Sequence, residues 1–222
     1  MTIPQHDNPA DGINDIVLVH GLWFRAVFMR VLAGRLERRG FRVHSFDWST
    51  TRAPITESAL ALRAFCDERV PGGAHLVGHS LGGLLILSML AEPGWSAPGR
   101  VVFLGTPLQG SAVARRVRGW PGGEWLIGHA AMPLDSGMQG WPRQRDVGLV
   151  AGTMPVGLGV IAGGLPRPND GVVAGAETRH EGLDGRIVMS VSHTGMLFSD
   201  AVATQVTAWL REGQFLPGEV SS

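Results

Sequence analysis

Six short apolar runs recur along the chain: Ile16-Val17-Leu18-Val19, Val43 to Phe46, His75-Leu76-Val77, Val101-Val102-Phe103-Leu104, Val147 to Ala151 and Ile187-Val188-Met189. In most of them the apolar character is continuous rather than alternating, the pattern of strands covered on both faces in a parallel sheet. The segments between them have helical spacing. Phe28, Val31, Leu32 and Leu36 repeat at i, i+3, i+4 and i+8, and Gly40 supplies a stop. Leu62, Phe65 and Cys66 form a similar stripe behind Ser58 as a cap. Leu84 to Leu90 is apolar around most of its circumference, which predicts a central, buried helix. Val202, Val206, Trp209 and Leu210 make an outer-helix stripe capped by Ser199 or Asp200. Alternating strand and helix predicts right-handed crossovers and a doubly wound, mainly parallel α/β sheet with helices on both faces.

One segment breaks this rhythm. Residues 112–146 hold Trp120, Trp125, Trp141, Met132 and Met138 among glycines, prolines and arginines, with no clean strand. They read either as a surface excursion packed on the body or as a short lid-like insert whose tryptophans, with Trp23, line an apolar substrate pocket. The stretch Val147 to Pro166 carries no charge but is broken by glycines and Pro155, so it reads as a strand and a loop and not as a membrane span. Residues 1–14 have neither a basic start nor an apolar core, so they predict a mobile tail and no signal peptide, with a cytoplasmic location. The expected organisation is one domain over 15–212, containing the 112–146 insert, with a C-terminal tail over 213–222.

Composition narrows the chemistry. Nineteen basic and nineteen acidic residues balance, which gives no electrostatic footprint for nucleic acid. All the basic residues are arginine. A chain without lysine cannot form a Schiff base with pyridoxal phosphate or build the lysine-containing phosphate loop. There is no tyrosine to act as a phenolic acid or base. The one cysteine, Cys66, excludes a disulfide framework and a multi-cysteine zinc site, and its mid-helix position reads as a buried thiol. No histidine spacing suits a metal, so neither metal nor cofactor is expected.

Against that background the residues Gly78-His79-Ser80-Leu81-Gly82-Gly83 stand out, because they join an apolar run to the most apolar helical segment. A serine with glycines two before and two after, on a strand-to-helix turn, is the pattern of a nucleophile elbow. The turn strains the serine backbone and projects its hydroxyl above the sheet. Serine needs an adjacent base, and His193 is the histidine placed just beyond a late strand. A carboxylate must orient that imidazole. Asp170 lies beyond the fifth run and completes the order serine, aspartate, histidine. Asp146 and Asp184 precede strands and Asp47 precedes the serine. The backbone N–H of Leu81 is one expected oxyanion donor. The loop after the first run, His20-Gly21-Leu22-Trp23, supplies the other, with Leu22 chosen and Trp23 its rival. His20 reads as a loop-shaping residue and His79 as packing or hydrogen bonding. Arg115, Arg116 and Arg118 read as a solvated face that could also meet an anionic substrate.

His20-Gly21, Gly78 to Gly83, Gly105-Thr106-Pro107 with Gly110-Ser111, Asn169 to Val173 and Ser192-His193 together resemble the α/β-hydrolase fold, in particular its bacterial lipase and esterase branch. The resemblance covers roughly Asp15 to Leu210. It implies a sheet of about six strands and a serine hydrolase that cleaves small-molecule or lipid-like carboxylic esters through an acyl-serine intermediate. It departs from the fold's usual pattern in lacking early antiparallel strands and in having a short insert. The same three residues would also serve a thioesterase, amidase or acyltransferase. The same fold could hold a catalytically silent ligand-binding module.

Overall fold

The computed structural model describes residue 10 and residues 12–94, 96–138, 141 and 145–217. Most of the expected N-terminal tail, the end of the C-terminal tail, and residues 139, 140 and 142–144 of the insert lie outside the described residues. All six apolar runs form strands: β1 (Asp15–Val19), β2 (Arg42–Phe46), β3 (His75–His79), β4 (Val101–Leu104), β5 (Val147–Gly152) and β6 (Gly185–Met189). They make one parallel sheet in the order β2-β1-β3-β4-β5-β6.

The register explains the continuous apolar runs. Val17, Leu76, Val101 and Val147 align across four strands and point to one face. There they join a core with α2 (Ile55–Arg69) and α3 (Leu81–Ala91). Leu18, Val77 and Val102 align one step along and point to the other face. Those meet α1 (Arg30–Glu37) and α8 (Asp200–Glu212) through Leu32, Leu36, Val206 and Trp209. The two edge strands depart from this rule, and Val188 of β6 is 49% exposed because it has no cover on its side.

α3 is buried along nearly its whole length, as its all-round apolar sequence predicts. In α8 the Ser199 hydroxyl accepts from the N–H of Val202, so Ser199 is the cap. Two local expectations fail. Ser58 lies inside α2, which starts at Ile55 behind Pro54, a residue whose fixed φ suits a helix entrance. Phe28 and Val31 are exposed at 48% and 39%, while Met29, Leu32 and Leu36 face the core. A 3-10 turn over Ala26–Met29 precedes α1 and shifts the phase of its apolar stripe. The uncharged segment after β5 also holds a single helical turn, α7 (Leu158–Ile161).

The 112–146 segment contributes three short helices: α4 (Ala112–Arg118), α5 (Gly123–Ile127) and α6 (Ala131–Ser136). Its arginines fasten it. Arg115 donates to the carbonyl of Asp135, Arg116 to the carbonyls of Ala162 and Gly164, and Arg118 pairs with the Asp135 carboxylate. Arg115 and Arg116 remain exposed and Arg118 half-exposed, as a solvated face requires, and these bonds add an anchoring role. Among the described residues, no helix is long and apolar enough to cross a membrane.

Cys66 sits in the α2 core at 1% exposure, and burial pushes its thiol up to about 12. The folded protein is therefore expected to resist iodoacetamide at about pH 8 and to react fully in denaturant, because the thiolate is the nucleophile. Mass spectrometry of both samples checks this, and rapid alkylation of the native chain would contradict it.

Candidate active site

The strand order reverses direction between β1 and β3: β2 lies to one side of them, β4 to β6 to the other. Helices therefore leave β1 and β3 toward opposite faces, and the carboxyl ends of the two strands open a crevice. The loop with Leu22 leaves β1 there, and Ser80 leaves β3.

Ser80 has φ 54° and ψ −124°, an outlier that costs of order 1–3 kcal/mol and persists only where its surroundings over-determine it. Its N–H donates to the Leu104 carbonyl at 2.9 Å, and its own carbonyl accepts from Gly83 N–H and from the Thr106 hydroxyl, both at 3.0 Å. The close approach expected at the flanking glycines is present. A Cβ on Gly78 would lie 2.7 Å from the backbone of Gly83, and one on Gly82 would strike the Val19 carbonyl.

Asp170 is 1% exposed and lies on the loop between β5 and β6. Its Oδ1 accepts from the N–H groups of Val172 (3.0 Å) and Val173 (2.7 Å), while Oδ2 accepts from Nδ1–H of His193 at 2.7 Å. The N–H of His193 also donates to the Asp170 carbonyl at 2.8 Å. Burial opposes ionisation of Asp170, but the His193 imidazole and the two N–H donors outweigh it and hold the carboxyl below its ordinary value. With Nδ1 carrying the proton, Nε2 of His193 keeps a basic lone pair. Gly105, at φ 59°, leaves room for this pair, since a Cβ there would stand 2.9 Å from Nδ1 of His193. The rival carboxylates are committed elsewhere: Asp47 to Arg25, Asp146 to Arg100, and Asp184 to the N–H of Val147.

Neither of the other two buried histidines near the elbow is a free base. His20 accepts the Trp48 N–H at Nε2, so its Nδ1–H donates to the Gly21 carbonyl, and it shapes the loop as expected. Nε2–H of His79 donates to the His193 carbonyl at 3.0 Å, and its ring lies 4.7 Å from that of His193. Burial drives His79 down to about 3, so it stays neutral.

Ser80 and His193 line one cavity of about 210 Å³. Its walls are apolar, drawn from Leu22 and Phe24 after β1, Val113 and Val117 of α4, Ile127 of α5 and Leu134 of α6. Trp23 also lines it, as expected, but Trp120, Trp125 and Trp141 do not. Trp125 points outward at 86% exposure because Gly123 and Ile127 occupy the inner side of α5. Trp120 sits beyond the end of α4, 39% exposed. Trp141 stacks on His180 at 4.3 Å and meets Phe103 edge-on. The pocket residues that the sequence reading missed were partly legible: Val113 and Val117 are spaced i, i+4 behind the arginine run. Among the described residues, the N–H groups of Leu22 and Leu81 donate to nothing, whereas that of Trp23 donates to the Thr50 hydroxyl at 3.2 Å. The Trp23 N–H is thus already engaged. Among the same residues, no three histidine, cysteine or acidic side chains are grouped to hold a metal ion.

Residues 16–212 match the model of the Alpha/beta hydrolase family. Among solved structures the chain is similar to lipase BlEst2 of Bacillus licheniformis in mature form, with 21% identity, 94% of each chain covered and a TM-score of 0.73. A metagenomic carboxyl esterase matches at 19% identity over 87% of this chain and 68% of that one, with a TM-score of 0.64. Carboxylesterase CesB of Bacillus subtilis matches at 16% identity over 91% and 85%, with a TM-score of 0.57. At such identities the likeness is one of fold. No curated protein matches the sequence.

The buried groups make stability depend on pH in one direction. Between the ordinary imidazole value of 6.5 and about 3, an unfolded chain takes a proton at His79 that the folded chain refuses. That contribution is fully present above about 6.5 and is lost as pH falls, at up to about 1.4 kcal/mol per pH unit. Asp170, also depressed, adds a loss at lower pH still. The thermal midpoint is expected to fall from about pH 7 to about pH 5, and His79→Gln to flatten that slope. An unchanged slope in the variant would contradict the assignment.

Proposed function

Because the chain belongs to the alpha/beta hydrolase family across residues 16–212, we propose that it is a serine hydrolase that cleaves carboxylic esters through an acyl-serine intermediate. The observation that carries this reading is the buried His193–Asp170 pair at 2.7 Å, set on the same apolar cavity as a serine at a strained strand-to-helix turn. Nε2 of His193 takes the Ser80 proton as Oγ bonds to the ester carbonyl carbon. The resulting oxyanion accepts from the N–H groups of Leu22 and Leu81, each such donor being worth about 2.7–4 kcal/mol of barrier. His193 then hands its proton to the departing alcohol as the C–O bond breaks. A water deprotonated by His193 releases the acid and restores Ser80. Asp170 holds the imidazole tautomer and stabilises the imidazolium.

The cavity also supports a substrate class. Its apolar walls and limited size, about 210 Å³, suit a short or medium acyl chain better than a palmitoyl one. Turnover of p-nitrophenyl esters is expected to peak at short or medium chains and to fall steeply toward palmitate. A maximum at palmitate would contradict this acyl-site assignment. Ser80→Ala should abolish turnover. Asp170→Asn should lower kcat by about 10⁴, and a loss of only a few-fold would remove Asp170 from the mechanism.

A further inference from the structure

Among the described residues, only Ser80 and Trp23 are held at positive φ without being glycine. Such a conformation is an outlier for a bulky side chain, and it points to contacts that hold it there. Burial is not what holds Trp23, which is 41% exposed. Instead it is bonded from two separate parts of the chain. Its backbone N–H donates to Oγ1 of Thr50 at 3.2 Å, and its indole Nε1–H donates to the carbonyl of Leu126 in α5 at 3.0 Å. A third bond closes the loop of contacts: the N–H of His129, just past α5, donates to the carbonyl of Thr51 at 3.0 Å. The 50–51 segment therefore grips both Trp23 and the insert.

Leu22 stands between two fixed points. On one side Gly21 is pressed against the nucleophile, so that a Cβ there would lie 2.8 Å from Cβ of Ser80. On the other side is Trp23. We propose that Trp23 is a positioning residue that latches the oxyanion loop to the insert, so that the N–H of Leu22 points at the oxyanion only while α5 is seated. The proposal rests on the serine-hydrolase reading above. It gives the insert a second task besides walling the acyl cavity: Ile127, next to the carbonyl that Trp23 holds, is a wall of that cavity. Contact with an acyl group at Ile127 is thereby transmitted to the donor that stabilises the transition state.

Trp23→Phe keeps an aromatic ring and removes the indole N–H. Thr50→Val keeps the shape of Thr50 and removes the acceptor. A misaimed donor acts on the transition state and not on substrate binding, so each variant is expected to lower kcat for a p-nitrophenyl butyrate substrate by roughly tenfold, with KM within about twofold of wild type. The melting temperature should be essentially unchanged. A wild-type kcat in both variants, or a loss that falls wholly on KM or on the folded fraction, overturns the latch. Ser80→Ala run alongside separates the two readings. If it retains turnover, the serine-hydrolase reading falls and the latch with it. If it is inactive while Trp23→Phe keeps wild-type kcat, only the latch falls.

Discussion

The backbone of Ser80 bends against its own preference, and the structure around it exists in a form that keeps it bent. Its N–H is held by Leu104 at the end of β4, and its carbonyl by Thr106 and Gly83. α3 departs immediately, apolar on nearly every side, and is packed between the sheet and α2. Relaxing the turn would break bonds to β4 and lift α3 out of the core, which costs far more than the few kcal/mol stored in one residue. The strain is therefore stable, and the hydroxyl it exposes meets the cavity.

The remaining groups converge because the sheet reverses between β1 and β3. Strands on both sides of the reversal deliver loops to one crevice: Leu22 after β1, Ser80 after β3, Gly105 after β4, and Asp170 and His193 on the loops around β6. Asp170 meets opposing effects. It is almost wholly buried and still lies below its ordinary carboxyl value because both its oxygens are occupied by donors. His79 and His20, buried without a charge partner that outweighs desolvation, stay neutral and serve as hydrogen-bonded spacers.

How much of this can be read from the residues depends on whether the cause is local. The strands are legible because burial on both faces forces continuous apolar runs, and they blur only at the edge, where Val188 is uncovered. The order of Ser80, Asp170 and His193, and the strand ends they follow, are legible for the same reason. Elsewhere an adjoining turn, the inner side of a helix or a distant contact decides, and the pattern misleads. The 3-10 turn at Ala26–Met29 rotates the stripe of α1 and leaves Phe28 and Val31 outside. The engagement of the Trp23 N–H depends on Thr50, far along the chain. Trp125 turns away from the pocket because the inner side of α5 belongs to Gly123 and Ile127, and Trp141 is taken up by His180 and Phe103.

We propose Ser80 as an activated nucleophile. A fluorophosphonate probe tests it directly, because phosphonylation needs both the projected hydroxyl and a base beside it. After incubation with the probe and mass mapping, one adduct is expected, on Ser80, and none on the His193→Ala variant under the same brief exposure. An unlabelled native protein, or an adduct on another serine, would contradict it.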